Sequence, residues 1–326
     1  MQFDTFLQNT ELILAEGAVY ERLRNHSSIE FDPHLAHAAC IYDPAAARIL
    51  EQVYREYLDI GQKNHLPMVV STPTWRANRE RLNLSAYKNR RVNQDNARFL
   101  TDIRKSYGAT GRPPIFIGGL TGPRGNAYRP EEALSKDEAV SFHTYQVKAL
   151  AEAELDFLYA TTLPAVSEAS GIATAMAKTG LPYILSFVIR ANGRLLDGTP
   201  LDQAIQDIDA VTTRPPIGYG VNCVHPTILL QALTRKEIEK KSLTGQIIVF
   251  AGNTSAKSPE ELDCLEEIDT EASDRFAELM GTVYRQYHIP ILGGCCGTGT
   301  DHIKSLAGQL KTERLNRHDA TGVGPG

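Results

Sequence analysis

Short apolar runs recur along the chain, and longer segments with helically spaced apolar residues lie between them. Runs that are apolar throughout, rather than alternating, are typical of parallel strands covered on both faces. Five of the runs follow a proline, which suits the start of a strand and ends the preceding helix. This pattern predicts eight strands, at residues 12–15, 68–71, 115–118, 157–160, 184–189, 218–222, 247–251 and 291–293.

The segments between the runs are amphipathic. In residues 44–63, for example, Leu50, Val53, Tyr54 and Tyr57 recur at helical spacing. Further helices are predicted at residues 167–179, 201–211 and 227–241, and residues 258–287 are long enough for two. Eight alternations without a linker predict an α/β fold, a single-domain (β/α)8 TIM-type barrel over residues 1–326.

A doubly wound open sheet is the alternative fold. That fold usually carries a glycine fingerprint directly after its first strand. Here the first strand is followed by Glu16-Gly17-Ala18-Val19, which does not match the fingerprint. The barrel is therefore the favoured prediction.

Three cysteines fall at predicted strand ends, where the functional residues of a TIM-type barrel lie. Cys223 ends the sixth strand, and the adjacent Cys295 and Cys296 follow the eighth between glycine pairs. Adjacent cysteines rarely bridge each other, because the geometry of a disulfide is specific. Strands six and eight are only two apart around a barrel, so we expect the three thiols to meet at its mouth.

Three thiolates and one open position are typical of a zinc site that does chemistry. A thiol bound to such a metal is deprotonated, so a substrate thiol would become a nucleophile at neutral pH. Three anionic ligands suit alkyl transfer to sulfur better than activation of water. The alternative is that the three cysteines are buried there by coincidence. Cys40 and Cys264 are interpreted as ordinary packed or surface thiols.

Composition excludes several other classes of protein. The net charge of −5 offers no general attraction to nucleic acid or to anionic membranes. No signal peptide is evident at the N-terminus, and no apolar stretch is long enough to span a bilayer. Five cysteines without framework spacing predict a reducing, cytoplasmic setting. The oligomeric state stays open.

The motifs resemble those of the homocysteine S-methyltransferase family, zinc-dependent barrels that methylate homocysteine. The matching segments occur in order at residues 13–18, 71–77, 118–125, 186–201, 220–223 and 293–298. The resemblance implies that Cys223, Cys295 and Cys296 hold Zn²⁺, with the homocysteine sulfur as fourth ligand. A methyl group would then pass to that sulfur from a sulfonium or ammonium donor. The predicted barrel takes up the 326 residues, so we expect the standalone type without a corrinoid- or folate-binding module, whose donors are S-methylmethionine, S-adenosylmethionine or betaine.

The same resemblance implies a set of substrate-binding residues at the strand ends. An aromatic face near the metal would attract a cationic donor, and Trp75 is the candidate for that role. The predicted substrate-binding residues are Glu16, Gly17, Thr72, Trp75, Thr161, Ser186 and Asn222.

One departure from the family concerns the acceptor. Thr161 stands where the family has a glutamate associated with gripping the ammonium of the amino acid. Loss of such a charged partner costs on the order of 1.5–3 kcal/mol. Either Glu16 or Glu168 compensates, or the acceptor is a different thiol. A third hypothesis is a barrel that binds zinc without catalysing a reaction. His34 and His37 are interpreted as structural residues or as part of the barrel rim.

Overall fold

Eight parallel strands close into a barrel. A computed structural model of the chain describes residues 2–108, 110–234, 245–257, 261 and 270–321, and the side chains up to residue 314. Each strand pairs with the next in sequence, and the first pairs with the eighth. The strands are β1 Ile13–Ala15, β2 Met68–Ser71, β3 Ile115–Thr121, β4 Phe157–Leu163, β5 Tyr183–Phe187, β6 Gly218–Val224, β7 Ile247–Gly252 and β8 Ile291–Gly294. The prediction of a (β/α)8 barrel is confirmed, and the open sheet is wrong.

Helices surround the barrel. They are α1 Phe3–Gln8, α2 Tyr20–Arg24, α3 Pro44–Lys63, α4 Arg79–Leu84, α5 Val92–Ser106, α6 Lys136–Ala151, α7 Val166–Ala177, α8 Leu201–Val211, α9 Pro226–Leu233, α10 Ser273–Tyr287 and α11 Thr300–Thr321. Helices α3 and α8 have the predicted bounds, and α7 is shifted by one or two residues.

Two predicted helical segments extend beyond the described residues. The segment at residues 227–241 corresponds to α9, and residues 235–241 lie outside the described part. The segment at residues 258–287 corresponds to α10, which begins only at Ser273, and residues 258–260 and 262–269 are likewise outside it. No helix in the described ranges is long and apolar enough to cross a membrane.

Aromatic side chains fill the amino-terminal end of the barrel. Phe3 of α1 stacks on Phe157, with 4.3 Å between the ring centroids, and lies 5.0 Å from Phe116. Both partners are at the beginning of their strands, so α1 covers that end. Burial of such rings contributes strongly to the core, because each removes a large apolar area from water. The cavity that holds the predicted site residues lies at the opposite end.

Candidate metal and substrate site

The three predicted ligands lie together. The sulfur atoms of Cys223, Cys295 and Cys296 are all within 4.8 Å of one another, and those of Cys223 and Cys296 are 3.3 Å apart. All three are free thiols. Ligands around one tetrahedral zinc at the usual Zn–S length of about 2.3 Å lie about 3.8 Å apart. The cluster therefore fits a single zinc ion with small adjustments of the side chains.

A local break in strand geometry directs Cys223 toward its partners. The register between β6 and β7 shifts between Asn222 and Val224, and Cys223 has a φ of 59°. An extra residue in a strand re-aims the side chains that follow it. Thr162 on β4 shows the same left-handed backbone, with a φ of 61°.

Asn222 ties these two irregular strand ends together. Its Oδ1 accepts a hydrogen bond from the backbone N–H of Thr162 at 2.9 Å. Its Nδ2 donates to the Thr162 hydroxyl, also at 2.9 Å. Both ends of the amide are therefore engaged within the protein. This arrangement indicates that Asn222 supports the position of Cys223, while its predicted contact with substrate stays a prediction.

The loop that carries Cys295 and Cys296 is held by Thr298. The hydroxyl of Thr298 donates to the carbonyl of Cys295 at 2.6 Å and accepts from the N–H of Ala18 at 3.0 Å. The N–H of Cys295 donates to the carbonyl of Gly252 at 2.7 Å. A Cβ on Gly294 would overlap the Thr298 hydroxyl, which explains why glycine stands there.

We expect Thr298→Val to destabilise the protein by about 1–3 kcal/mol, because valine keeps the shape but removes both hydrogen bonds of the hydroxyl. Thr298→Ser is the matched control, since it keeps the hydroxyl. Urea unfolding of the two variants measures the difference. Equal stability of the valine and serine variants would show that the hydroxyl does not hold the loop.

The electrostatics of the cluster favour one thiolate even without a cation. Hydrogen bonds from Cys295 and Cys296 lower the pKa of Cys223 well below its ordinary range. Tyr128 adds a further hydrogen bond, since its hydroxyl donates to the Cys223 sulfur at 3.0 Å. The negative charge of Cys223 in turn raises the pKa of Tyr128, so this tyrosine stays protonated. Donors thus converge on the Cys223 sulfur.

A cavity of about 760 Å³ extends from the cluster to the barrel mouth. Its size is within the range of sites that hold drug-sized ligands, roughly 300–1,000 Å³. Six of the seven predicted substrate-binding residues line it, namely Glu16, Gly17, Thr72, Trp75, Thr161 and Asn222. Ser186 does not line it. The Ser186 hydroxyl is buried without a hydrogen-bond partner and faces the Cα of Gly220 inside the barrel, so its assignment stays a prediction.

Glu16 is the buried acid of the cavity. One carboxylate oxygen accepts a hydrogen bond from the N–H of Ser71 at 2.9 Å. The other oxygen has no partner among the described residues. Burial raises the pKa of Glu16 to about 8, against which the hydrogen bond from Ser71 acts only partly. The free oxygen is therefore poised to meet a positively charged or hydrogen-bonding group of a ligand.

The other predicted residues differ in how much they can offer a ligand. The Thr72 hydroxyl is engaged by Thr74 at 2.7 Å and by the N–H of Leu120 at 2.9 Å. The indole N–H of Trp75 donates to the backbone carbonyl of Thr161 at 3.3 Å, and the Thr161 hydroxyl has no hydrogen-bond partner among the described residues.

One face of Trp75 already has a cation over it. The guanidinium of Arg76 lies 4.9 Å from the centre of the indole ring. Arginine over an aromatic face is a favourable arrangement in its own right. The predicted attraction of a cationic donor to Trp75 would therefore have to use another part of the ring.

Glu168, the alternative acid, does not line the cavity. It is fully buried on α7, where its Oε1 accepts from the N–H of Arg124 and lies 2.8 Å from Nε2 of His143. These contacts fix the loop after β3 to the outside of the barrel. Among the two acids considered from the sequence, only Glu16 is in a position to meet a substrate.

His37 was interpreted from the sequence either as a structural residue or as part of the barrel rim. In the structure it lines the cavity.

Two further residues of the site were not predicted from the sequence. Tyr128, in the loop after β3, reaches Cys223, although 95 positions separate them. Glu21 of α2 accepts a hydrogen bond from the N–H of Gly297 at 2.6 Å and so supports the cysteine loop. No local pattern marks either residue. The only signal is that both follow strands whose carboxyl ends face the cavity.

The sequence profile described as homocysteine S-methyltransferase matches residues 13–310. The chain belongs to the homocysteine S-methyltransferase family. It is 29% identical to homocysteine S-methyltransferase YbgG of Bacillus subtilis over 209 residues, which is 60% of this chain and 62% of that protein. It is 25% identical to betaine–homocysteine S-methyltransferase 1 of Bos taurus over 94% of this chain and 74% of that protein. The relatives that it matches are enzymes.

Solved structures of this family have the same fold. The metallated form of the homocysteine methyltransferase MmuM from Escherichia coli matches with a TM-score of 0.70 at 20% identity. The match covers 94% of this chain and 98% of that one. At this identity the likeness establishes the barrel and does not carry over the function of individual residues.

Proposed function

We propose that this barrel transfers a methyl group to the sulfur of homocysteine, giving methionine, at a zinc ion held by Cys223, Cys295 and Cys296. The observation that carries the proposal is the convergence of these three sulfur atoms within 4.8 Å at one end of a large cavity. Membership of the family supports the reaction, and the names of the relatives support homocysteine as the acceptor.

The donor set suits zinc. Cys223, Cys295 and Cys296 would supply three thiolate ligands, and zinc sites that do chemistry use three protein ligands and keep a position for water or substrate. When bound, the zinc ion would keep the acceptor thiol ionised near neutral pH. The protein's own contribution is to hold the sulfur atoms in place. Asn222 does this by hydrogen bonds to Thr162 of β4, and Thr298 does so by a hydrogen bond from the N–H of Ala18, in the loop after β1.

The rest of the site would orient the two reactants. Glu16 would accept a hydrogen bond from the ammonium of the acceptor, which in turn would favour the ionised form of this buried carboxyl. In the transfer the new sulfur–carbon bond forms as the carbon–sulfur or carbon–nitrogen bond of the donor breaks. The leaving sulfide or amine keeps the electron pair. The proton of the acceptor thiol leaves before this step.

One observation favours a second candidate function, with an acceptor other than homocysteine. Thr161 lines the cavity and supplies a hydroxyl in place of a carboxylate. With Glu16 protonated below about pH 8, the described part of the cavity wall near Thr161 offers an ammonium little fixed negative charge. A different thiol acceptor, or a zinc-binding barrel without catalysis, would be consistent with this environment.

The test is an incubation of the purified protein with homocysteine and a panel of donors, namely betaine, S-methylmethionine and S-adenosylmethionine. We expect methionine, detected by mass spectrometry, from at least one donor. If none yields methionine, homocysteine is not the acceptor. A screen of other thiols for methylated products then separates a changed acceptor from a barrel that does not catalyse a reaction.

A further inference from the structure

Three arginines line the outer part of the cavity. Arg24, Arg76 and Arg81 all lie on its wall. Within the part of the chain that the structure describes, none of the three forms an ion pair, whereas nearby Arg22 and Arg124 are bound to Glu56 and Glu80. Arg24 is exposed, whereas Arg76 and Arg81 are half-buried. A guanidinium partly removed from water without an anion nearby is unfavourable. The outer cavity is therefore a place where an anionic ligand would be stabilised.

Arg76 is the most confined of the three. Its guanidinium lies over the indole of Trp75, and the N–H of that indole reaches the carbonyl of Thr161. Burial, and then the charge of Arg81, lower the pKa of Arg76. The positive charges of Arg76 and Arg81 thus repel each other. An anion bound near both would reduce this repulsion.

The acids of the cavity wall do not pair with these three arginines. Glu21 and Glu132 also line the cavity and accept hydrogen bonds from the backbone N–H groups of Gly297 and Asn126, but among the described residues neither forms an ion pair with Arg24, Arg76 or Arg81. Glu132 also lies 3.6 Å from the guanidinium of Arg129. The remaining acid, Glu16, has a pKa raised to about 8 by burial and is largely protonated at neutral pH.

His37 provides a second and independent observation at the same place. It is 94% buried, lines the same cavity, and its Nδ1 has no hydrogen-bond partner among the described residues. Burial, with the charge of Arg76, lowers the pKa of His37 to about 4, so the ring is neutral and can donate one hydrogen bond. An unpartnered donor or acceptor at this depth is costly unless a ligand satisfies it.

We propose that Arg76 and Arg81, with Arg24 at the outer edge and His37 beside them, form an anion subsite for the carboxylate of a substrate. The reacting end of that substrate lies at the cysteine cluster in the same cavity. This inference rests on the proposed methyl transfer for the identity of the reacting end. The carboxylate can belong to the methyl donor or to the thiol acceptor. The subsite discriminates against substrate analogues that lack this carboxylate.

Binding of a carboxylate can be tested without any reaction, because Trp75 is the only tryptophan of the chain. The fluorescence of the protein is titrated with butyrate and with the uncharged butyramide at constant ionic strength. We expect a saturable change with butyrate alone. Arg81→Gln should weaken the apparent affinity for butyrate about tenfold, the lower end of what a charge-assisted hydrogen bond contributes. Equal responses to butyrate and butyramide would overturn the subsite.

Arg79→Gln is the matched control, since Arg79 is an exposed arginine of the same helix that does not line the cavity. It removes the same charge and should leave the butyrate titration unchanged. If Arg79→Gln and Arg81→Gln weaken binding equally, only the overall charge matters and the subsite is wrong. The titration remains informative when methyl transfer fails, so failure of the two proposals can be told apart.

The source of the carboxylate follows from kinetics with paired substrates. Choline replaces betaine, and the amino thiol without the carboxylate of homocysteine replaces homocysteine. In Arg81→Gln we expect KM to rise about tenfold for the substrate that carries the bound carboxylate, with kcat nearly unchanged. KM for its carboxylate-free analogue should not change. If KM rises for neither carboxylate substrate, the inference is contradicted.

Discussion

Replacement of Cys223 by serine is expected to deprive the protein of most of its zinc affinity. Zinc sites of four ligands bind with an apparent 10–16 kcal/mol, so each ligand contributes about 3 kcal/mol, or roughly a 100-fold change in affinity. Serine is a much poorer ligand than a thiolate for a soft cation. Metal analysis of the purified protein should find about one zinc per chain for the wild type and little for Cys223→Ser. Methyl transfer should fall in parallel.

Cys40 offers the matched control for this experiment. It is a buried free thiol outside the cluster, and burial raises its pKa to about 12, so it does not ionise in the working range. Cys40→Ala should keep its zinc. Cys295→Ser should lose zinc as Cys223→Ser does. If Cys223→Ser and Cys295→Ser both retain one zinc per chain, this cluster does not bind the metal, and the proposed methyl transfer at these cysteines is contradicted.

The second large effect concerns the stability of the metal-free protein as a function of pH. Glu16 has an ordinary pKa of 4.5 in the unfolded chain, and burial raises it to about 8 in the folded one. Between these values the folded chain holds a proton that the unfolded chain has released. The free energy of unfolding therefore falls as the pH rises, by up to about 1.4 kcal/mol per pH unit. It keeps its full value only below the pKa that Glu16 has in the unfolded chain.

Glu16→Gln removes this dependence. Glutamine is uncharged at every pH and can still accept the hydrogen bond from Ser71. We expect the variant to match the wild type near pH 5 and to be more stable by several kcal/mol, at most about 5, at pH 8. Urea unfolding at pH 5, 6, 7 and 8, with a chelator present, measures the difference. A difference that does not grow with pH would mean that Glu16 does not carry its proton in the folded state.

An exposed glutamate serves as the control. Glu131 lies in a short turn of 3-10 helix on the surface, so Glu131→Gln should leave the pH dependence unchanged. The same Glu16→Gln variant bears on the proposed role of this residue in binding the acceptor. If Glu16 meets the ammonium of homocysteine, the variant should raise KM for homocysteine while stability improves. A gain in stability without a change in KM would leave Glu16 as a strained structural residue.

Much of the fold was accessible from the sequence. The eight apolar runs are strands. The predicted lengths are most in error for β3 and β4, each of which is three residues longer than predicted. The prediction for β3 ended at Gly118 and that for β4 before the threonines at 161 and 162, whereas the strands continue to Thr121 and Leu163. The ends of parallel strands are where polar side chains begin, so apolarity alone stops short of the functional segment.

The cysteine cluster was predictable because the closed barrel leaves little freedom. Once strands are parallel and follow one another around a barrel, their carboxyl ends lie on a single rim in the order of the sequence. Topology therefore brings Cys223, Cys295 and Cys296 to the same part of the rim, and the irregular backbone at Cys223 completes their approach. The resemblance to the family supplied the zinc and the acceptor, which topology does not supply.

Tertiary structure alone decided how the site is completed. Tyr128 meets Cys223, and Glu168 is paired with His143 instead of facing the cavity. Such contacts join residues far apart in the sequence, and they depend on the loop path and on the packing of α6 against α7. Strand periodicity also fails at Cys223, where the left-handed backbone shifts the register. A pattern with period two assigns side chains to faces only as far as the strand remains regular.

The sequence by itself thus determined the barrel, the order of its strands and the three thiols at its mouth, because hydrophobic burial and chain order suffice for these. What only the tertiary structure decided is which acid faces the cavity and where the arginines of the cavity wall lie. Burial and the proximity of distant side chains set both. The raised pKa of Glu16 follows from that arrangement, as does the placement of Arg24, Arg76 and Arg81 without an ion-pair partner among the described residues.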